Sequence, residues 1–379
     1  MAVKYYKNLF SGLEKILAES QPKSILLVTM SGLLAKMSIF VKLKRQLKNY
    51  KVYISSRTME NPRPNNVAKA ITPIKDKEID LILAIGGGSV IDTAKAISIL
   101  LTNQASLPSL LFSDKRITTK PVPLIAVPTT SGTGSEATRY AAFYYYKKGE
   151  LGKKSLSHNY LLPAYVILDP DLLLTLDKHG TAVSGLDALA QAIESWWSVK
   201  STKQSRNYSR QSLNLILKYL PKSLADLTNV KLREQMLKAS NLSGRAINIS
   251  QTTICHSVSY PLTNYFKVPH GLGAALTLPG FLEFNANIKK DDCLDPRGVS
   301  FVKNIIKEIY RELGTTKPRE APKKLRKFIR STGLGVTLSA NGVDNLPLII
   351  KFGFSPERAK NNPRKVSEAD LRKILTKIK

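Results

Sequence analysis

The chain has 379 residues, of which 43% are hydrophobic, so it is long enough for two domains and too apolar to be disordered. Its 58 lysine and arginine residues outnumber 28 acidic residues and give a formal net charge of +30. These cations are spread along the chain without a basic tail, so we interpret them as a solvated surface and do not expect nucleic-acid binding. Only two cysteines, Cys255 and Cys293, are present, which excludes a disulfide framework.

The N-terminal sequence, MAVKYYKNLFSGLEKIL, is amphipathic and has neither an apolar signal core nor a cleavage site. No apolar run reaches the roughly 18–20 residues that a membrane span needs. We therefore predict an ordinary first helix and a cytoplasmic protein that makes no membrane contact.

Short apolar runs alternate with helical patterns over residues 1–172, which predicts an α/β, Rossmann-like nucleotide-binding domain with a parallel sheet and helices on both faces. Its predicted strands are residues 24–29, 51–54, 80–85, 122–127 and 165–168, and the first strand is followed by a predicted helix that runs through residue 49. Long segments of helical period dominate residues 173–379, which predicts an all-α domain. Its main predicted helices are residues 181–199, 201–219, 230–250, 300–313, 321–331 and 368–377. We expect ligands in the cleft between the two domains.

A glycine loop follows the third predicted strand and opens a helix; it consists of Gly86, Gly87, Gly88 and Ser89. A pyrophosphate needs close approach to the backbone and the free N–H groups of a helix N-terminus. This context predicts a cofactor-binding loop, with Asp92 in the first turn of the helix. A plain tight turn is the alternative.

A second loop follows the fourth predicted strand and is dense in hydroxyls, with Thr129, Thr130, Ser131 and Thr133. Hydroxyl groups suit the phosphates, the ribose or the nicotinamide amide of a cofactor. The GxGxxG fingerprint of the common dinucleotide fold is absent, so the sequence predicts a different or variant nucleotide domain.

Two of the four histidines of the chain, His256 and His270, lie fourteen positions apart in the helical half. Asp187 lies on another predicted helix, with Gln191 four residues later on the same face. One carboxylate and two imidazoles suit a divalent first-row metal with an open position for substrate. Spacing alone is equally compatible with structural histidines.

Taken together, these residues resemble the iron-containing (group III) alcohol dehydrogenase family, which shares its fold with dehydroquinate synthase and glycerol dehydrogenase. The resemblance covers nearly the whole chain in the family's order. The matching stretches are GGGSVIDTAKAI, PTTSGTGSEAT, LLPAYVILDPDL, GLDALAQAIES, HSVSYPLTNYFKVPHGLGAALTLP and NNPRKVSEADLRKIL.

The resemblance implies that the all-α domain carries one catalytic divalent metal, held by Asp187, His256 and His270. The family's fourth ligand is usually a histidine, and here that position is Gln191, which is our candidate fourth ligand. An amide oxygen is a weaker ligand than an imidazole, so the alternatives are a metal held by three side chains or a metal bound less tightly, and zinc is as plausible as iron. Many members have a proton-relay histidine where this chain has Tyr260, which makes Tyr260 the candidate relay.

The resemblance also implies an NADH or NADPH cofactor held by the two loops. Lys153 or Lys154 occupies the region of a cofactor-contacting lysine, and Lys154 is our candidate. NAD-preferring members often have an aspartate where this chain has Met30, and its absence allows NADPH.

The implied reaction is the reduction of a small aldehyde to a primary alcohol, with the metal polarising the carbonyl, in a homodimer or larger homo-oligomer. Residues 145–149, 153–158, 185–211 and 354–364 look most like the branch that reduces phosphonoacetaldehyde to 2-hydroxyethylphosphonate. Arg139 is the candidate partner of the phosphonate, with a plain surface arginine as the alternative. The rival functions are a general short-chain alcohol or lactaldehyde dehydrogenase and a basic nucleic-acid-binding protein on an inactive dehydrogenase fold.

Overall fold

The computed structural model describes residues 3–112, 117–147 and 150–379, and in them the chain forms eight β-strands and sixteen α-helices. Two compact units are present. The first contains Met1–Thr130 and Gly134–Leu176, and the second contains Ser131–Thr133 and Asp177–Lys379. None of the helices in the described ranges has the length and apolarity needed to cross a membrane.

The strands of the first unit are β1 (Lys4–Tyr6), β2 (Ser24–Val28), β3 (Lys51–Ser55), β4 (Leu81–Gly86), β5 (Leu124–Pro128), β6 (Tyr140–Lys147), β7 (Glu150–Ser157) and β8 (Tyr165–Ile167). Six of them form a parallel sheet in the order β1-β8-β5-β4-β2-β3. The other two, β6 and β7, pair antiparallel in a separate hairpin. The predicted parallel α/β architecture is confirmed.

Helices cover both faces of this sheet. They are α1 (Leu9–Ser20), α2 (Leu33–Lys36), α3 (Phe40–Gln46), α4 (Pro64–Ile71), α5 (Gly88–Leu100) and α6 (Leu107–Phe112). Successive residues of a strand point to opposite faces. Leu26 and Val28 of β2 accordingly enter one apolar core, and Ile25 and Leu27 enter another. Both faces are therefore buried, as a parallel sheet requires.

Two local predictions in this unit are wrong. The N-terminal helix does not include residues 4–6, because β1 pairs with β8 there and α1 begins only after the side chain of Asn8 caps its first N–H groups. The helix expected to run on to residue 49 is split into α2 and α3. Between them Ser38 has a φ of 54°, which a continuous right-handed helix does not allow.

The second unit is helical, as predicted. Its helices are α7 (Lys178–Trp197), α8 (Lys203–Ala225), α9 (Val230–Ser250), α10 (Ile254–Phe266), α11 (His270–Ala286), α12 (Val299–Glu312), α13 (Ala321–Arg330), α14 (Leu346–Gly353), α15 (Pro356–Asn361) and α16 (Glu368–Thr376). They bury one apolar core, to which α7 contributes Leu186, Leu189 and Ile193.

Candidate metal centre

The two loops predicted to bind a cofactor are adjacent in the first unit. β4 ends at Gly86, Gly87 precedes α5, and the N–H of Thr129 donates to the carbonyl of Gly86 at 3.1 Å. A Cβ added to Gly87 would lie 3.3 Å from the side chain of Thr130. Gly87, Gly88 and Ser89 are only half-buried, so a ligand anion can approach the first N–H groups of α5.

The remainder of the hydroxyl-rich loop packs with the helical unit. A Cβ at Gly132 would lie 2.7 Å from the Cβ of Ser184 on α7, so this position requires a glycine. Thr133 is exposed. Ser131 is buried, and its hydroxyl has no hydrogen-bond partner among the described residues. The Ser131 hydroxyl is therefore available to a ligand.

Asp92, which the sequence predicts to face the cofactor, is used inside the first unit. Its carboxylate accepts from the hydroxyl of Ser135 at 2.5 Å and from the N–H of Ala142 at 2.9 Å. One turn later the ammonium of Lys95 donates to the carbonyls of Ser135 and Thr138, at 2.7 and 2.8 Å. Burial lowers the pKa of Lys95 to about 8, partly offset by the charge of Asp92. The two side chains thus hold the segment that follows the loop.

The predicted basic residues of the first unit contact aromatic rings. The ammonium of Lys154 lies 4.4 Å from the ring centre of Phe112, and that of Lys153 lies 5.1 Å from the ring of Tyr144. The guanidinium of Arg139 donates to Oδ1 of Asn159 at 3.1 Å. Two residues of the predicted stretch 145–149, Lys148 and Gly149, lie outside the described residues.

The three predicted metal ligands come together in the second unit. Each of Asp187, His256 and His270 offers a ligand atom, and these atoms lie within 4.8 Å of one another. They come from α7, α10 and the first residue of α11. A Cβ at Gly271 would lie 2.1 Å from the carbonyl of Val183, so only a glycine lets α11 approach α7 this closely.

Glu194, which sequence reasoning missed, fixes the orientation of His256. It lies seven residues after Asp187 on the same face of α7 and is fully buried. Its carboxylate accepts from Nδ1 of His256 and from the N–H groups of Thr253 and Cys255, at 2.9 and 3.0 Å for the latter two. Because Nδ1 points to Glu194, Nε2 is the nitrogen that faces Asp187, at 3.5 Å from its Oδ1.

The electrostatics of this pair favour a positive charge at Nε2. Burial lowers the pKa of His256, but the charge of Glu194, the proximity of Asp187 and the hydrogen bond to Glu194 outweigh it and raise the pKa to about 9. Burial raises the pKa of Glu194, but the charge of His256 outweighs it and leaves the pKa below its ordinary value. Among the described residues, Nε2 of this histidine has no hydrogen-bond partner. A divalent cation therefore fits the donor set.

His270 is oriented by Ser259. The Ser259 hydroxyl donates to the carbonyl of His256 at 2.7 Å and lies 3.0 Å from Nδ1 of His270. The single proton of this hydroxyl is donated to the carbonyl of His256, so the hydroxyl oxygen must accept a hydrogen bond from Nδ1 of His270. Nε2 of His270 is then the unprotonated nitrogen that can bind a metal. Tyr260 stacks on His270, with ring centres 5.9 Å apart and an interplanar angle of 17°.

Gln191 contacts the site through its amide nitrogen. Nε2 donates to Oδ2 of Asp187 at 3.1 Å and to the carbonyl of Thr133 at 3.2 Å, while Oε1 accepts from the hydroxyl of Ser243 at 3.0 Å. Because the first two partners are both acceptors, the amide must turn its NH₂ group toward them. An amide nitrogen does not ligate a metal, so in this arrangement Gln191 orients Asp187.

Family models and a relative of known function match most of this chain. The model of the family described as "Iron-containing alcohol dehydrogenase" matches residues 3–170, and the model of the Fe-containing alcohol dehydrogenase C-terminal domain matches residues 181–379. A phosphonoacetaldehyde reductase of Streptomyces viridochromogenes is 33% identical over 321 residues, which cover 82% of this chain and 79% of the reductase.

Solved structures give the same picture. An alcohol dehydrogenase from Oenococcus oeni has a TM-score of 0.88 at 26% identity, over 100% of this chain and 98% of that one. A sulfoacetaldehyde reductase from Bifidobacterium kashiwanohense, solved in complex with NAD+, has a TM-score of 0.86 at 25% identity, over 100% of this chain and 96% of that one.

Proposed function

Because the chain belongs to the iron-containing alcohol dehydrogenase family, whose members are NAD(P)-dependent oxidoreductases, we propose that it reduces a small aldehyde with an anionic head group, with phosphonoacetaldehyde as the first candidate. The observation that carries the proposal is the convergence of Asp187, His256 and His270 within 4.8 Å. The choice of head group is supported by the likeness to a phosphonoacetaldehyde reductase and to a sulfoacetaldehyde reductase.

The proposal gives each site residue a role. Asp187, His256 and His270 would hold a divalent cation, and Glu194 keeps Nε2 of His256 turned toward Asp187. When bound, the metal supplies Lewis-acid polarisation of the carbonyl and the nicotinamide supplies the hydride. Tyr260, stacked on His270, carries the proton that the product alcohol needs. The Gly87 loop binds the cofactor.

Arg139 is the proposed partner of the anionic head group. A guanidinium makes paired, charge-assisted hydrogen bonds to a phosphonate. Each such bond contributes about 1.5–3 kcal/mol, which corresponds to roughly ten- to a hundredfold in kcat/KM. Substrates that lack an anionic head group cannot form these hydrogen bonds, so Arg139 should not raise their kcat/KM.

The test is a panel of phosphonoacetaldehyde, sulfoacetaldehyde, acetaldehyde and lactaldehyde, each with NADPH and NADH, with metal content measured on the same sample. We expect the anionic aldehydes to have the highest kcat/KM. Arg139→Gln should lower kcat/KM for phosphonoacetaldehyde by about tenfold or more while acetaldehyde turnover stays unchanged. Arg45→Gln, at an exposed arginine of the same unit, is the matched control.

Two results count against this proposal. Equal kcat/KM for acetaldehyde and phosphonoacetaldehyde would instead support a general short-chain alcohol dehydrogenase. Full activity and full metal content after His270→Ala would contradict the metal assignment itself.

A further inference from the structure

A strongly basic groove lies in the second unit and is lined by α12, α13 and the C-terminal end of α11. None of the three proposed metal ligands lines it. Its volume is about 1130 Å³. Seven of its lining residues are cations and one is an acid. The cations are Lys303, Lys307, Arg319, Lys323, Arg326, Lys327 and Arg330.

The cations reach the groove because two helices present one face each. On α13, Lys323, Arg326, Lys327 and Arg330 are spaced i, i+3, i+4 and i+7, which places them on one side of the helix. This cationic stripe extends over roughly 10 Å. The opposite side of α13 carries Leu325 and Ile329, which are buried in the domain core. The apolar face fixes the helix and leaves the stripe facing the groove.

Negative charge in the groove is scarce. The acidic lining residue, Glu283, already forms an ion pair with Lys377 at 3.4 Å. Within the described ranges, none of the seven cations forms an ion pair or a side-chain hydrogen bond. Like charges gathered on one concave surface repel one another, and a bound anion relieves that repulsion.

A buried donor also lines this groove. Tyr310 is 2% exposed, lies three residues after Lys307 on α12, and has no hydrogen-bond partner for its hydroxyl among the described residues. Burial raises the pKa of Tyr310 to about 12, so the hydroxyl keeps its proton at neutral pH. A buried hydroxyl without a partner costs stability, and an anionic oxygen in the groove supplies one.

We propose that this groove binds a compact oligophosphate, a small molecule with three or more linked phosphate groups. Paired cations suit phosphate oxygens, and the cavity has the volume of a small-molecule site. Single-stranded nucleic acid also needs aromatic rings on which its bases stack, and the aromatic side chain lining this groove, Tyr310, is buried. The site is independent of the proposed aldehyde reduction.

The test is calorimetric titration of the whole protein with tripolyphosphate and with ATP. The variant Lys323→Gln/Arg326→Gln/Lys327→Gln removes three charges from the stripe. Lys222→Gln/Lys231→Gln/Lys238→Gln removes the same charge from exposed positions on α8 and α9 and is the matched control. We expect the groove variant to weaken tripolyphosphate binding by at least about tenfold, because several charge-assisted hydrogen bonds are lost. The control should change tripolyphosphate binding by less than about twofold, because its three lysines do not line the groove and exposed charges are screened by salt.

Further outcomes separate the alternatives. Tyr310→Phe, which keeps the core packing, should weaken binding by about tenfold if the hydroxyl donates to the ligand. Equal affinity for tripolyphosphate and ATP would indicate that the groove recognises the phosphate groups alone. If ATP binds more tightly than tripolyphosphate and the groove variant abolishes that binding, the natural ligand is a nucleotide. Equal weakening in the control variant, no binding of tripolyphosphate, or groove-dependent binding of an oligonucleotide alone would each overturn the proposal.

Discussion

At the scale of single residues, the proposed metal centre depends on side chains that never reach the metal. Glu194 accepts five hydrogen bonds, four from backbone or hydroxyl groups and one from Nδ1 of His256. A carboxylate held this firmly fixes the imidazole ring and makes Nε2 a better ligand. The same reasoning applies to Ser259 beside His270.

We expect Glu194→Gln to lower metal affinity by about ten- to a hundredfold, because the amide is isosteric but supplies no charge behind His256. The measurement is competition for Zn²⁺ against a chromogenic chelator. Asp169→Asn is the control, since Asp169 is also a buried carboxylate that accepts backbone N–H groups, but it lies in the first unit. Unchanged zinc affinity in the Glu194 variant would show that His256 needs no such support.

Gln191 offers a second test of the same idea. If its amide only orients Asp187, Gln191→Ala should weaken metal binding by about tenfold and leave the visible absorption spectrum of bound Co²⁺ unchanged in shape. Gln191→His should place an imidazole near the metal, tighten binding and alter that spectrum. A changed Co²⁺ spectrum in the alanine variant would instead identify Gln191 as a ligand.

At the scale of elements, sequence patterns predict five of the six strands of the parallel sheet and most helices of the second unit within a few residues. These elements have one clear signal each: a short continuous apolar run for a strand buried on both faces, and a 3.6-residue period for α8, α9 and α12. Sequence patterns do not predict α11. It is buried on nearly every side and contains Gly271, Gly273 and Pro279, so no polar face marks its period.

The hairpin of β6 and β7 was missed for a different reason. Most of β7 is half-buried, so its residues lack the alternation of apolar and polar side chains that predicts a strand. The metal ligands were predicted by resemblance, because the spacing of Asp187, His256 and His270 carries little information before α7, α10 and α11 are packed. Glu194 was the one carboxylate at the right helical spacing from Asp187, and that periodicity is the signal that sequence reasoning could have used.

A residue just beyond the end of β2 leads to a prediction about the preference for NADPH or NADH. Met30 lies two residues beyond this strand and pairs with Arg57 in an isolated β-bridge. A carboxylate at this position would repel a 2′-phosphate and accept a ribose hydroxyl. We expect Met30→Asp to lower kcat/KM for NADPH by about tenfold or more relative to NADH. Val41→Asp, at a residue that is 71% exposed on α3, should change neither value. A wild-type protein that strongly prefers NADH would contradict the expectation.

At the scale of the whole molecule, the two units have separate apolar cores. Alternate faces of the sheet contribute two cores in the first unit, and the helices from α7 onward contribute one in the second. The proposed ligand sets are divided in the same way, with Gly87 and its loop in the first unit and the metal ligands in the second. Each ligand should therefore stabilise chiefly the unit that binds it.

Hydrogen exchange measured by mass spectrometry tests this division. Adding Zn²⁺ at a hundred times its Kd to protein stripped with a chelator should stabilise the binding unit by about 2.7 kcal/mol, which slows exchange through unfolding of that unit by roughly a hundredfold. We expect this protection in peptides from α7, α10 and α11 and little change in β4 and α5. NADPH should produce the reverse pattern, with protection at the N-terminus of α5, which provides the internal control. Equal protection of both units by Zn²⁺ would show that they unfold as one cooperative body, and protection of neither would contradict the metal centre.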